Sequence, residues 1–132
     1  MGVVYHTNYL VWCEMGRTDL LRRLGATYAD LEREGVFLVV SEARVSFRAP
    51  ALYDDLIRVK TGLAKVRSRG VSFSYQIENV GTSAVLARAE TDHICVNRER
   101  TPRQLPAEIH VLLSRAMEAS ARKGTIGALS GV

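Results

Sequence analysis

The chain has 132 residues, and its 18 Lys plus Arg against 14 Asp plus Glu give a net charge of +4. A hydrophobic share of 47% and a charged share of 24% describe one globular domain with a core of its own. They exclude collagen-like, disordered and disulfide-framework chains.

No apolar run approaches the roughly 20 residues of a membrane-spanning helix, and the opening MGVVYHTNYL lacks the basic start of a secretory signal. A cytoplasmic protein with no membrane insertion is therefore expected. Cys13 and Cys95 stand far apart among apolar neighbours, which reads as two buried thiols in a reducing compartment. The positive excess is small and interrupted by acids such as Asp54, Asp55 and Glu118, so a nucleic-acid partner is not expected. Only three of the 18 basic residues are Lys; the Arg fork suits phosphate and carboxylate.

The first predicted element is a helix from Thr7 to Leu24, capped by Thr7 or Asn8 and stopped by Gly25. Its run Tyr9-Leu10-Val11-Trp12-Cys13 is apolar all round, so the helix should be wrapped. A short helix from Thr27 to Glu34 follows, with Thr27 and Asp30 spaced as a cap. Four strands come next: Phe37 to Phe47, Leu56 to Arg67, Val71 to Glu78 and Ala84 to Asn97. The turn signals between them are Ala49-Pro50-Ala51-Leu52-Tyr53-Asp54-Asp55, Ser68-Arg69-Gly70 and Asn79-Val80-Gly81-Thr82. Val71, Phe73, Tyr75 and Ile77 alternate with Ser72, Ser74, Gln76 and Glu78, giving one buried face. The expectation is an α+β fold, an antiparallel meander wrapped around one long central helix. Pro106 opens a last helix to about Arg122. A single domain over 1–122 and a flexible Gly- and Ser-rich tail over 123–132 complete the reading.

The run Gly2-Val3-Val4-Tyr5-His6-Thr7-Asn8-Tyr9-Leu10, with Trp12, Glu14, Arg17, Leu20-Leu21 and Leu24-Gly25, resembles the opening of the hotdog-fold acyl-CoA thioesterases of the 4-hydroxybenzoyl-CoA thioesterase type. The likeness is greatest to their short-chain, Tol-Pal-associated branch. Further matches are Phe47-Arg48-Ala49-Pro50-Ala51 with Tyr53 and Asp55, Arg69 with Ser72-Phe73, and Pro102-Arg103 with Leu105-Pro106. The resemblance implies a hotdog fold, an active site at a subunit interface, an acyl-CoA substrate, no cofactor, and hydrolysis to an acid and coenzyme A. A homodimer or homotetramer is implied too, and Phe37 to Phe47 is the strand expected to pair with its copy. In that family a catalytic Asp stands three residues before the glycine matching Gly2, after a first strand. Both lie outside the given sequence, and a start codon placed too late is the expected reason.

Thioester hydrolysis builds negative charge on the carbonyl oxygen, so it needs donors aimed there and a base or nucleophile opposite. By the family pattern the backbone N–H of His6 supplies a donor, and its imidazole is a candidate acid or base. Tyr5 and Glu14 are the other catalytic candidates; Glu14, amid Trp12, Cys13 and Met15, is expected to have a raised pKa or to pair with Arg17. Tyr5, Asn8 and Tyr9 are candidates for the acyl pocket, with Tyr9 the one expected in the core, and Val4 is a further candidate for substrate binding. Arg69, Ser72, Arg98, Arg100 and Arg103 are candidates for the coenzyme phosphates. His6, His93 and His110 show no metal-ligand spacing, and an elbow for a serine nucleophile is absent. The alternative to an enzyme is a non-catalytic acyl-thioester binding or scaffolding protein of the same fold.

Overall fold

The computed structural model describes residues 6–123 and 126–131, with side chains over 8–120. In chain order the elements are α1 (His6–Leu24), α2 (Tyr28–Arg33), β1 (Phe37–Phe47), β2 (Leu56–Val66), β3 (Gly70–Asn79), β4 (Val85–Val96), α3 (Ala107–Lys123) and β5 (Ile126–Gly131). Alternation sets the inner face of the sheet. Ile57, Val59, Thr61 and Leu63 on β2, Val71, Phe73, Tyr75 and Ile77 on β3, and Ala87, Ala89, Thr91, His93 and Cys95 on β4 are all buried.

The architecture is mixed α+β, and all strand pairs in its sheet are antiparallel, in the order β1-β4-β3-β2-β5. The expected four-strand meander holds only for β2, β3 and β4. Rather than turning back on β2, β1 pairs with β4 from Phe37↔Val96 to Phe47↔Ala87. The connection through Pro50 is too long for a tight hairpin and carries the chain across the sheet. The segment expected to fray instead forms β5, whose backbone pairs with the other edge of β2 from Leu56↔Gly131 to Thr61↔Ile126.

The core face is covered by two helices. Tyr9, Trp12, Cys13, Leu20 and Leu21 of α1 are buried, and so is Leu113 of α3, with Ile109, Ala116 and Met117 packed against the same cluster. Nor is α1 wrapped on all sides within one chain: Leu10, Val11 and Met15 are 44%, 50% and 46% exposed. The same gap exposes Val40 at 45% on the inner face of β1, because α1 and α3 both lie over β2. Close approach of α1 to the sheet depends on Gly16, where an added Cβ would sit 2.9 Å from Val59 Cγ1 and would collide with the Thr61 hydroxyl.

Candidate functional site

The first residue of α1 is His6, one step before the expected cap. Its N–H is therefore among the four that a helix start leaves without intrahelical acceptors, at the positive end of the helix dipole. Tyr9, one turn on, fixes this mouth to the sheet. Its ring is buried edge-on against Trp12 and Phe47, with centroids 4.9 Å away in both cases. Its hydroxyl accepts a 3.1 Å hydrogen bond from the Ala51 N–H in the β1–β2 connection. That connection is itself stiffened, since the Leu52 N–H donates to Asp55 Oδ2 at 2.8 Å and Asp54 takes φ 71°. It presents Leu52 and Tyr53 half-exposed beside the mouth. Tyr9 is thus an anchor, while Asn8 is half-buried in the first turn. Val4, Tyr5 and the His6 side chain lie outside the described residues.

Glu14 departs from expectation. Trp12 and Cys13 turn into the core, whereas Glu14 faces solvent one turn above Leu10, so its carboxylate is not desolvated. The ion pairs among the described residues do not include Glu14 with Arg17. The Arg17 Nε instead donates to Tyr28 Oη at 3.2 Å. Burial works against the Arg17 charge, but Tyr75 and Tyr28 outweigh it and its pKa stands above the ordinary value.

The basic candidates gather at the opposite end of the sheet. Arg69, Arg98 and Arg100 are exposed and Arg103 is half-buried. The Cys95 N–H donates to the Arg69 carbonyl at 2.8 Å, and the Arg103 N–H donates to the Cys95 carbonyl at 2.9 Å, which brings the β2–β3 hairpin and the segment after β4 together. The Arg98 guanidinium donates to the Glu32 carbonyl at 2.8 Å and lies 5.6 Å from the Phe37 ring centroid. Arg100, at φ 65°, stands in a turn where Asn97 Oδ1 accepts from the Glu99 and Thr101 N–H groups at 3.0 and 2.9 Å. Beside these residues runs a groove of about 320 Å³ lined by Ser68, Gln104, Leu105, Ala107, His110 and Val111. Ser72 does not belong to this set as expected. It is fully buried, and its hydroxyl donates to Asp92 Oδ1 at 2.6 Å, so it is not placed to meet a ligand. The Arg44 guanidinium and that hydroxyl together hold the Asp92 carboxyl at about 2.

Between the two ends lies a polar chain that sequence patterning did not single out. Tyr75 Oη is 2.6 Å from Thr91 Oγ1, which is 2.9 Å from His93 Nε2. Burial pushes the Tyr75 phenol up to about 12 and the Cys13 thiol up to about 12, and burial followed by the Arg17 charge pushes His93 down to about 4. Among the described residues no cluster of His, Cys, Asp and Glu could hold a metal ion, and no helix is long and apolar enough to cross a membrane.

The sequence model of the thioesterase-like superfamily matches residues 1–117, with the matched segment taking in α1, α2 and the strands β1 to β4. The chain belongs to the thioesterase-like superfamily. Among its relatives, a protein of Bacillus subtilis described as putative acyl-CoA thioesterase YneP is 37% identical over 99 residues, covering 75% of this chain and 71% of that one. The acyl-CoA thioester hydrolase YbgC of Escherichia coli is 34% identical over 109 residues, covering 82% of this chain and 81% of the other. The solved DHNA-CoA thioesterase of Staphylococcus aureus superposes with a TM-score of 0.85 at 29% identity, over 96% of this chain and 86% of that one. Within this superfamily chain, the buried Tyr75–Thr91–His93 series was legible in principle. Period-two counting places Thr91 and His93 on the face of Ala87, Ala89 and Cys95.

Proposed function

We propose that the protein hydrolyses a small acyl-CoA thioester to the free acid and coenzyme A, in the manner of the short-chain branch that its Gly2 to Leu10 motif resembles. The observation carrying this reading is the start of α1. Its first N–H groups, which have no intrahelical acceptors, are held at the rim of the sheet by the Tyr9 to Ala51 hydrogen bond, in a chain related to named acyl-CoA thioester hydrolases. Water adds to the thioester carbonyl, its oxygen takes up negative charge against the His6 N–H, and the C–S bond then breaks to release the thiolate, which is protonated. The roles assigned here are the His6 N–H as donor to the developing oxyanion, the His6 imidazole as acid or base, and Tyr5 as an auxiliary group. Val4 and Asn8 line the acyl end. Glu14, being exposed, acts only if the substrate or a second subunit covers it. Arg69, Arg98, Arg100 and Arg103 bind the coenzyme phosphates. The protein works as a cytoplasmic homodimer or homotetramer without a cofactor.

The test is His6→Pro assayed by thiol release from short acyl-CoAs. Proline is well tolerated at the first helical position and removes both the N–H and the imidazole. Loss of one oxyanion donor lowers kcat by roughly 10²–10³. A variant with unchanged kcat removes His6 from the mechanism. A wild-type protein that binds acyl-CoA yet releases no thiol above background is a scaffolding member of the superfamily.

A further inference from the structure

Arg17 carries a charge that the fold encloses and does not neutralise. Its side chain is half-buried on α1; its Nε donates to Tyr28 Oη at 3.2 Å, and the Tyr75 hydroxyl is its other hydrogen-bond partner. None of the ion pairs among the described residues includes Arg17. Burial pushes both phenols up, so they stay neutral near pH 7 and neither is a counter-ion. Glu14, whose charge is felt at Tyr28, faces solvent and leaves the guanidinium unpaired. A guanidinium offers more N–H donors than two hydroxyls can satisfy. The Tyr28 hydroxyl accepts from Arg17, and its own proton has no acceptor among the described residues. Two adjoining side chains therefore present free donors at the margin of the core, and a partly desolvated cation is costly until an anion meets it.

These donors stand at a fixed reach from the helix mouth. The Arg17 charge is felt at Cys13, one turn earlier on α1, so the guanidinium leans back toward the helix start. Cys13 lies about 10 Å along the axis from His6. The space between is open toward the inner face of β1. Val40, 45% exposed, pairs there with His93, where the Arg17 charge is also felt, and the exposed Ala43 pairs with Thr91. Tyr9 against Phe47 marks the near end of this opening, and α2, which starts at Tyr28, meets β1 at the far end. Leu10 and Val11 of α1 give it an apolar side. With a hydrogen bond of about 3 Å at each end, the passage suits an aliphatic chain of about six carbons tipped by an anion.

We infer that the acyl group carries a second carboxylate: the substrate is the coenzyme A monothioester of a dicarboxylic acid, and Arg17 with Tyr28 binds its free carboxylate. This rests on the acyl-CoA reading above and narrows it. The planar guanidinium takes the carboxylate through its free N–H groups, and the Tyr28 O–H adds a further bond. Hydrolysis at the mouth consumes water and releases the dicarboxylic acid and coenzyme A. A plain acyl chain of equal length leaves the guanidinium unmet, so selection comes from charge at the chain tip.

The experiment measures thiol release from a matched pair, adipoyl-CoA and hexanoyl-CoA, by the wild type, Arg17→Met and Tyr28→Phe. The wild type should favour adipoyl-CoA by about tenfold or more in kcat/KM. Arg17→Met should bring that ratio to about one or below, and Tyr28→Phe should lower it about threefold, the loss appearing in KM for adipoyl-CoA. A wild type that cleaves hexanoyl-CoA as well as adipoyl-CoA overturns the inference. So do variants that lose both substrates in equal proportion, because that marks Arg17 as a structural prop between α1 and α2. Should Arg17→Met fail to fold, Tyr28→Phe, which keeps the ring, decides alone. Absence of thiol release from both thioesters strikes the acyl-CoA reading and the inference with it, whereas turnover without preference strikes the inference alone.

Discussion

His93 makes folding stability depend on pH in a window set by its burial. It is 2% exposed, touches Thr91 Oγ1 through Nε2, and is held near pKa 4 by burial and the Arg17 charge, against 6.5 in an unfolded chain. Asp92, which precedes it, and the Leu38 carbonyl act in the opposite sense and do not overcome these effects. A histidine with a lowered folded pKa binds more protons when unfolded. Stability is therefore full above about pH 6.5 and falls as pH drops toward 4. At pH 5 the unfolded ring is almost wholly charged and the folded ring almost wholly neutral, which removes about 2 kcal/mol. For a domain of this size that corresponds to a drop in Tm of about 7 °C. The assay is differential scanning calorimetry between pH 8 and pH 5 at fixed protein concentration, on the wild type and His93→Asn. The variant should have a lower Tm at pH 8 and a flatter pH dependence, since His6 and His110 remain in both proteins. Equal slopes would refute the claim that His93 is kept neutral in the fold.

Three further perturbations have definite outcomes. Gly16→Ala, which raises intrinsic helix propensity, should nevertheless lower stability by about 1–3 kcal/mol, because its methyl group meets Val59 and the Thr61 hydroxyl; denaturant titration reads this, and a stabilised variant contradicts it. Leu113→Ala should cost about 3 kcal/mol if α3 closes the core beside α1, and a loss under 1 kcal/mol places α3 outside the cooperative unit. Tyr9→Phe strands the Ala51 N–H and should cost about 1–3 kcal/mol by thermal melting, with kcat falling as the mouth loosens against the rim.

The strands were legible because period-two patterning reports burial directly. The face of Val71, Phe73, Tyr75 and Ile77 is buried, and β1 runs from Phe37 to Phe47 as its turn signals imply. Thr27 caps α2, accepting from the Asp30 N–H at 3.1 Å, as its spacing suggests. Partner choice was not legible. Nothing local in Phe37 to Phe47 distinguishes β4 from β2, because the pairing is decided by which crossing buries the inner face of both. The same limit explains Ser72 and Glu14: alternation assigns a side of a strand or helix, yet the Ser72 hydroxyl is engaged by Asp92, twenty residues away. Of the site, α1 and the arginine residues were visible as motifs. Their placement at opposite ends of the sheet is tertiary information that no spacing encodes.

Gly16 sets how finely the mouth of α1 is aimed. With no side chain between helix and strand, backbone meets the β2 surface at Thr61 and Val59, and any axial slide of α1 would drive neighbouring bulk into that contact. The amide dipoles ten residues upstream inherit this stop. On the proposed mechanism those amides are aligned before the substrate arrives, so the field at the scissile centre need not be organised during turnover.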